Sequence, residues 1–196
     1  MGTRKGVFIL ESLDFDDESE RRMEGSALSH VLALVGRPHE YQYIRTREEL
    51  RRFLRKFHQS QLRYLHLSCH GNPEALFLTL GRGLGHEEFA RLASRHLGGR
   101  RLFISSCDAV HDELAEQLSI HTKLRSVVGP SEDIGFNDAT VAWAGFYNLV
   151  FREEKGPLSN KAIEVALRKI CRAFSLQFNA YFRLKESGRF RKVEIH

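Results

Sequence analysis

Short apolar runs alternate with amphipathic stripes along most of this chain, and that alternation leaves few folds open to it. Residues 6–11 (GVFILE), 40–45 (EYQYIR), 62–68 (LRYLHLS), 101–105 (RLFIS) and 125–129 (RSVVG) have the length and composition of strands. Helical spacing appears between them. Residues 20–35 put Met23, Ala27, Val31, Leu34 and Val35 on one face, and Gly36 stops the segment. Residues 47–59 do the same with Leu50, Phe53, Leu54 and Phe57. Further helices are predicted over 86–97, closed by Gly98 and Gly99, and over 111–118, with Leu114, Ala115 and Leu118 inward. A segment capped by Asn137 and running to 151 is apolar nearly all round, as a buried helix is. Ser159 caps a last helix whose stripe is Ile163, Ala166, Leu167, Ile170 and Phe174. Residues 75–80 with Gly81, Arg82 and Gly83 suggest a hairpin. Strands alternating in this way with helices predict a three-layer α/β fold, a mainly parallel sheet with helices on both faces, as a single domain over 1–196.

Composition narrows the function classes. A length of 196 residues, 42% of them hydrophobic and 28% charged, suits one sizeable core and not a disordered chain. No apolar stretch approaches the roughly 20 residues that span a bilayer. The run behind the basic N-terminus is too short for a signal peptide, and Gly6 stands where a myristoylation start needs Ser or Thr. A cytoplasmic protein with no membrane contact is expected. Three cysteines, Cys69, Cys107 and Cys171, make no disulfide framework. Without CxxC, HExxH or HxH spacing no metal is expected. Gly81, Gly83 and Gly85 lack dinucleotide spacing, so no cofactor is expected either. The acidic stretch from Asp14 to Asp17 could mimic a receiver site, but no lysine at a late strand end completes it. The formal charge of +5 gathers in arginines at 45–56 and 183–192, read as a solvated helix face and a charged tail; direct nucleic-acid binding is not expected.

Open α/β sheets hold their sites beyond the carboxyl ends of the strands. The third run delivers His70, followed by Gly71; the fourth delivers Cys107 after Ser105 and Ser106. If these strands are neighbours, thiol and imidazole meet. The imidazole then removes the thiol proton or stabilises the thiolate, and later protonates a leaving amine. Backbone N–H groups of Gly71 and Cys107 are candidate oxyanion donors. Cys69 points opposite to His70 by strand alternation and is expected to be buried.

These two segments, LHLSCHG at 65–71 and LFISSCD at 102–108, resemble the His-Gly and small-residue-Cys motifs of the caspase-like (clan CD) cysteine peptidases. The stretch from VVGP at 127–130 to Phe146 and Tyr147, with Asp138, is similar to the CHAT branch, and the resemblance covers roughly 6–151. It implies a cysteine endopeptidase with a His70/Cys107 dyad that cleaves a protein partner and is switched by a separate activating partner. Prokaryotic signalling or anti-phage defence is the expected setting; a non-catalytic scaffold or adaptor is the alternative. The signature Gln-Ala-Cys-x-Gly is replaced by Ser-Ser-Cys-Asp-Ala, which removes any implication of aspartate specificity. The resemblance places Pro130, Ser131, Glu132, Asp133 and Ile134 at the substrate pocket, where Glu132 and Asp133 would favour Lys or Arg. Ser106 is a further candidate contact. Asp108 either orients substrate or caps the helix beginning near Val110, and Asp14, Asp16 and Asp17 face the same edge. Residues 131–137 and the tail after Ser187 are expected to be the mobile parts.

Overall fold

β1 (Arg4–Ser12) buries side chains on both of its faces: Phe8 and Leu10 enter one core, Val7 and Ile9 the other. That is the pattern of a strand in the middle of a covered parallel sheet. The computed structural model describes residues 3–153, 156 and 158–196. In chain order the remaining strands are β2 (His39–Tyr43), β3 (Leu62–Gly71), β4 (Ala75–Phe77), β5 (Leu84–Gly85), β6 (Arg101–Ser105), β7 (Ser126–Pro130), β8 (Phe178–Arg183) and β9 (Phe190–Ile195). The sheet runs β2-β1-β3-β6-β7-β8-β9. It is parallel from β2 through β7; β8 and β9 add antiparallel. β4 folds back on the end of β3, and β5 on β4.

Among the described residues the helices are α1 (Phe15–Ser19), α2 (Glu24–Leu34), α3 (Arg47–Ser60), α4 (His86–Ala93), α5 (Asp112–His121), α6 (Phe136–Glu153) and α7 (Asn160–Phe174). Apolar stripes on α3, α4 and α5, including Leu54, Phe57, Phe89 and Leu118, pack with Phe8, Leu65 and Leu102 on one face. Residues of α2, α6 and α7 pack with Val7, Tyr64 and Phe103 on the other. The predicted three-layer α/β arrangement is therefore the one observed. Thr46 and Glu49 form a capping box that starts α3, and the Ser159 side chain accepts the N–H of Ala162 to start α7. Trp143 of α6 is fully buried against Phe103 at 5.9 Å and Phe178 at 5.4 Å between ring centroids. Each such pair adds about 0.5–1.5 kcal/mol beyond burial.

Two regions differ from expectation. The acidic stretch after β1 contains α1, started by Asp14, whose side chain accepts the N–H of Asp17. The arginine-rich tail is not a loose end but the β8–β9 pair, joined from Phe178 opposite Ile195 to Arg183 opposite Phe190. Its cations lie over its own aromatic rings: Arg191 over Phe182, Lys192 over Tyr181, Arg183 over Phe190. Arg183 also donates to the carbonyls of Leu124 and Thr122. Charged side chains on an edge strand discourage pairing with other chains, so an edge can look like a polar tail in sequence. Phe174, counted in the α7 stripe, is exposed in its last turn. Among the described residues no helix is long and apolar enough to cross a membrane.

Candidate active site

β3 and β6 are adjacent, and their last paired rung is Ser68 with Ser105. His70 and Cys107 each stand two residues beyond that rung. On β3, strand alternation sends Leu65, Leu67 and Cys69 into the core under α3–α5. His66, Ser68 and His70 therefore share the opposite face, the one covered by α2 and α6. Cys107 has left β6 and sits in a turn, followed by Asp108 at φ +40°.

His70 and Cys107 line one cavity of about 70 Å³, with Glu24, Ser106, Ile134 and Phe136 among its walls. The Cys107 sulfur accepts the Ile134 N–H at 3.5 Å and lies 3.6 Å from the Ile134 carbonyl oxygen. His70 Nε2 is 2.6 Å from Asp17 Oδ2 and 3.5 Å from Asp14 Oδ2. Asp17 is buried and also accepts from Arg22 at 3.0 Å. A carboxylate on Nε2 leaves Nδ1 as the ring nitrogen free to work on a thiol. Among the described residues no hydrogen bond joins His70 to Cys107; the sulfur is held by residue 134 instead. The Phe136 ring meets the imidazole edge-on at 5.7 Å.

Gly71 has a steric reason to be glycine. A side chain there would collide with the Ser106 hydroxyl and come within 3.2 Å of Ala109 Cβ. The end of β3 and the Cys107 turn thus pack backbone against side chain. Ser106 is buried, with its hydroxyl beside the Cys69 thiol. Asp108, Glu132 and Asp133 stand outside the cavity wall. The Asp108 N–H donates to the Glu132 carbonyl at 3.2 Å, the Glu132 carboxylate accepts the Gln177 N–H at 3.0 Å, and Asp133 is exposed. His111, not Asp108, caps α5, accepting the N–H of Glu113 at 3.3 Å.

Sequence reading missed Glu24. This first residue of α2 is 4% exposed. Its Oε2 accepts the hydroxyls of Ser68 at 2.8 Å and Ser105 at 2.7 Å, and Oε1 lies 3.4 Å from His66 Nε2. His66 Nδ1 is 3.2 Å from the Tyr147 hydroxyl. The available signal was a pair of small hydroxyl residues at the ends of otherwise apolar strands, which require a buried polar partner. A second buried carboxylate, Glu11, sets the position of α2: it accepts the N–H groups of Gly25 at 2.6 Å and Ser26 at 3.1 Å and the Tyr41 hydroxyl at 2.7 Å. Burial pushes the Glu11 carboxyl above its ordinary range.

An outer cleft of about 630 Å³ adjoins the small cavity, sharing Glu24 and Phe136 with it, and is lined also by Arg21, Arg22 and Asp138. Asp14, Asp17 and His70 are the one group of three metal-ligating side chains among the described residues, with ligand atoms within 4.8 Å of one another. Asp14 already caps α1, and Asp17 is already paired with Arg22.

No protein-family model matches this chain, and no curated protein matches it. Solved structures do. A secreted C11 cysteine protease from Bacteroides thetaiotaomicron, "iotapain", superposes with a TM-score of 0.60 at 11% identity, over 93% of this chain and 67% of that one. The Arg-specific cysteine proteinase gingipain R superposes with a TM-score of 0.56 at 11% identity, over 94% of this chain and 43% of that one. This chain thus spans less than half of the gingipain R chain. Identity at that level speaks to the fold: it is the fold of caspase-like cysteine proteases.

Proposed function

We propose that this chain is a cysteine endopeptidase in which Cys107 is the nucleophile, His70 the acid–base and Asp17 the residue that orients His70. The observation that carries the reading is the meeting of His70 and Cys107 at one cavity with Asp17 on the far ring nitrogen. In the first step His70 Nδ1 takes the thiol proton and the sulfur bonds to the peptide carbonyl carbon. The oxyanion accepts from the N–H groups of Gly71 and Cys107; losing one such donor costs about 3 kcal/mol. Collapse of the intermediate expels the amine, which takes its proton from His70, and water then cleaves the thioester.

The substrate in this reading is a protein, with Ser106 at the wall of its site, and the setting is the cytoplasm. The CHAT branch, with Asp138, Phe146 and Tyr147 as matching residues, and a role in prokaryotic signalling or anti-phage defence are its finer placement. Residue 134 supports control by an activating partner. Both its N–H and its carbonyl lie on the sulfur, so an activator that draws residues 131–135 aside exposes the nucleophile. The same contact favours the second reading, a scaffold with an idle dyad.

A thiol-directed peptide ketone separates the two. The peptidase labels at Cys107, and both Cys107→Ala and His70→Ala abolish labelling while leaving the thermal melt in place. Labelling that survives Cys107→Ala, or a wild-type chain that never reacts, overturns the peptidase reading.

A further inference from the structure

We infer that Phe77 determines specificity on the leaving-group side of this site, where it receives a large apolar side chain on the residue that follows the scissile bond; the inference rests on the peptidase reading above. Phe77 is the last residue of β4 and stands directly opposite His70 in the antiparallel β3–β4 pair. Residues directly opposed in such a pair share a face, with Cβ atoms about 4.5–5.5 Å apart. The neighbouring rung, Gly71 with Leu76, turns the other way, and Leu76 is buried in the core. His70 and Phe77 therefore reach the surface together: the imidazole side chain is 38% exposed and Phe77 36%. An exposed phenylalanine needs no explanation by itself. One held rigidly beside the general acid of a peptidase does.

The Phe77 ring has a built seat. A side chain at Gly83 would press to 3.0 Å from both Phe77 Cε1 and Ala75 Cβ, so glycine there lets the ring lie against backbone. Arg47 donates to the Gly83 carbonyl at 3.0 Å and holds that backbone in place. The Asn72 side chain accepts the N–H groups of Glu74 and Ala75 and closes the β3–β4 turn. Beyond Phe77, the Thr79 N–H donates to Ser12 Oγ at 3.0 Å and ties the segment to the end of β1. The reaction decides which part of a substrate the ring meets. His70 protonates the leaving nitrogen, so the residue carrying that nitrogen passes over His70. The acyl half lies on the Cys107 side, where the small cavity and the outer cleft open; Phe77 lines neither. The other neighbours of His70 are engaged: Asp17 and Asp14 face Nε2, and Phe136 belongs to the cavity walls. Phe77 is the apolar surface left for the departing half. A leucine, methionine or phenylalanine after the bond covers it, and a glycine or aspartate leaves it wet.

The test uses two peptide acyloxymethyl ketones on the full chain, identical except for the carboxylate that departs: naphthoate in one, acetate in the other. In each, the thiol proton passes to His70, the Cys107 sulfur bonds to the methylene carbon, and the carboxylate leaves with its electron pair on the leaving-group side. Dividing the naphthoate-to-acetate rate ratio by the same ratio for free cysteine removes the intrinsic reactivity of the probes. Wild type should then favour naphthoate about tenfold, a discrimination within reach of one apolar contact. Phe77→Ala should bring the corrected ratio within about twofold, while Phe77→Leu keeps most of it. A purely structural role for Phe77 would slow both probes together and leave their ratio alone. A corrected wild-type ratio near one, or an unchanged ratio in Phe77→Ala, overturns the inference and leaves the peptidase reading standing. Phe77→Gln, similar in length but polar, decides in the same way if Phe77→Ala does not fold. Failure of both probes to label wild-type Cys107 removes the peptidase reading, and the inference with it.

Discussion

At the end of β3, Cys69 points into the core shared with α3, α4 and α5; at the end of β6, Cys107 stands in a turn with its sulfur on the cavity wall. Both residues border the same small space. Burial pushes the Cys69 thiol up to about 12, against an ordinary value of 9.0. Cys107 is only partly buried and receives a backbone N–H on its sulfur. One-residue alternation along β3 thus produces a silent thiol at 69 and a usable imidazole at 70. The same-looking element in sequence, a cysteine after an apolar run, is core filler in one strand and a nucleophile candidate in the next. What separates them is which side of the last paired rung they fall on, and whether the strand has already ended.

Alkylation breaks this comparison or upholds it, with the largest effect expected. At pH 8 a thiol with a value of about 12 is ionised in about one molecule in ten thousand, and burial adds a barrier to access. Iodoacetamide on the native chain, followed by peptide mass mapping, should carry Cys107 to completion before Cys69 is detectably modified. Comparable rates at the two positions would erase the difference.

How much of this was legible follows from distance along the chain. The strands were readable because β1, β3 and β6 are short, apolar and bounded by polar turns. His70 and Cys107 were readable as strand-end residues, and the structure brings them to one cavity. Asp17 was visible only as one of several acids, because α1 has five residues and no apolar stripe to announce it. Glu24 was out of reach: its partners Ser68 and Ser105 are 44 and 81 positions away. Glu132 and Asp133 drew attention by adjacency to β7, yet the segment folds so that residue 134, not the acids, meets the sulfur. The β8–β9 pair was hidden because arginines and lysines stacked on aromatic rings read as a solvated tail.

The second effect concerns what makes Cys107 the working thiol. Asp17→Asn keeps the shape and removes the carboxylate from His70 Nε2. Peptide cleavage should fall about a hundredfold in kcat/KM, within the range that general acid–base catalysis contributes. Asp14→Asn, removing a carboxylate 3.5 Å away, should cost less. Equal losses from both would assign the loss to the fold of α1 and not to His70.

The smallest effect sharpens the other half of the comparison. Cys69→Ala deletes one buried sulfur and should cost about 1 kcal/mol near neutral pH, about 2–4 °C in Tm, with Cys107 labelling unchanged. The cost should itself depend on pH. The folded chain holds the Cys69 proton up to about 12, while the unfolded chain releases it from 9.0. Above 9.0 the folded state therefore binds more protons than the unfolded one, and stability falls as pH rises toward 12. The alanine variant has no such proton to hold. Its deficit against wild type should be full below pH 9 and shrink steadily above it, read from paired thermal melts. Cys171, pushed up to about 11 by its own burial, is present in both chains and cancels in the difference. A deficit that stays constant from pH 8 to pH 11 would show that Cys69 is not shut away from solvent, and the contrast between the two strand ends would lose its physical basis.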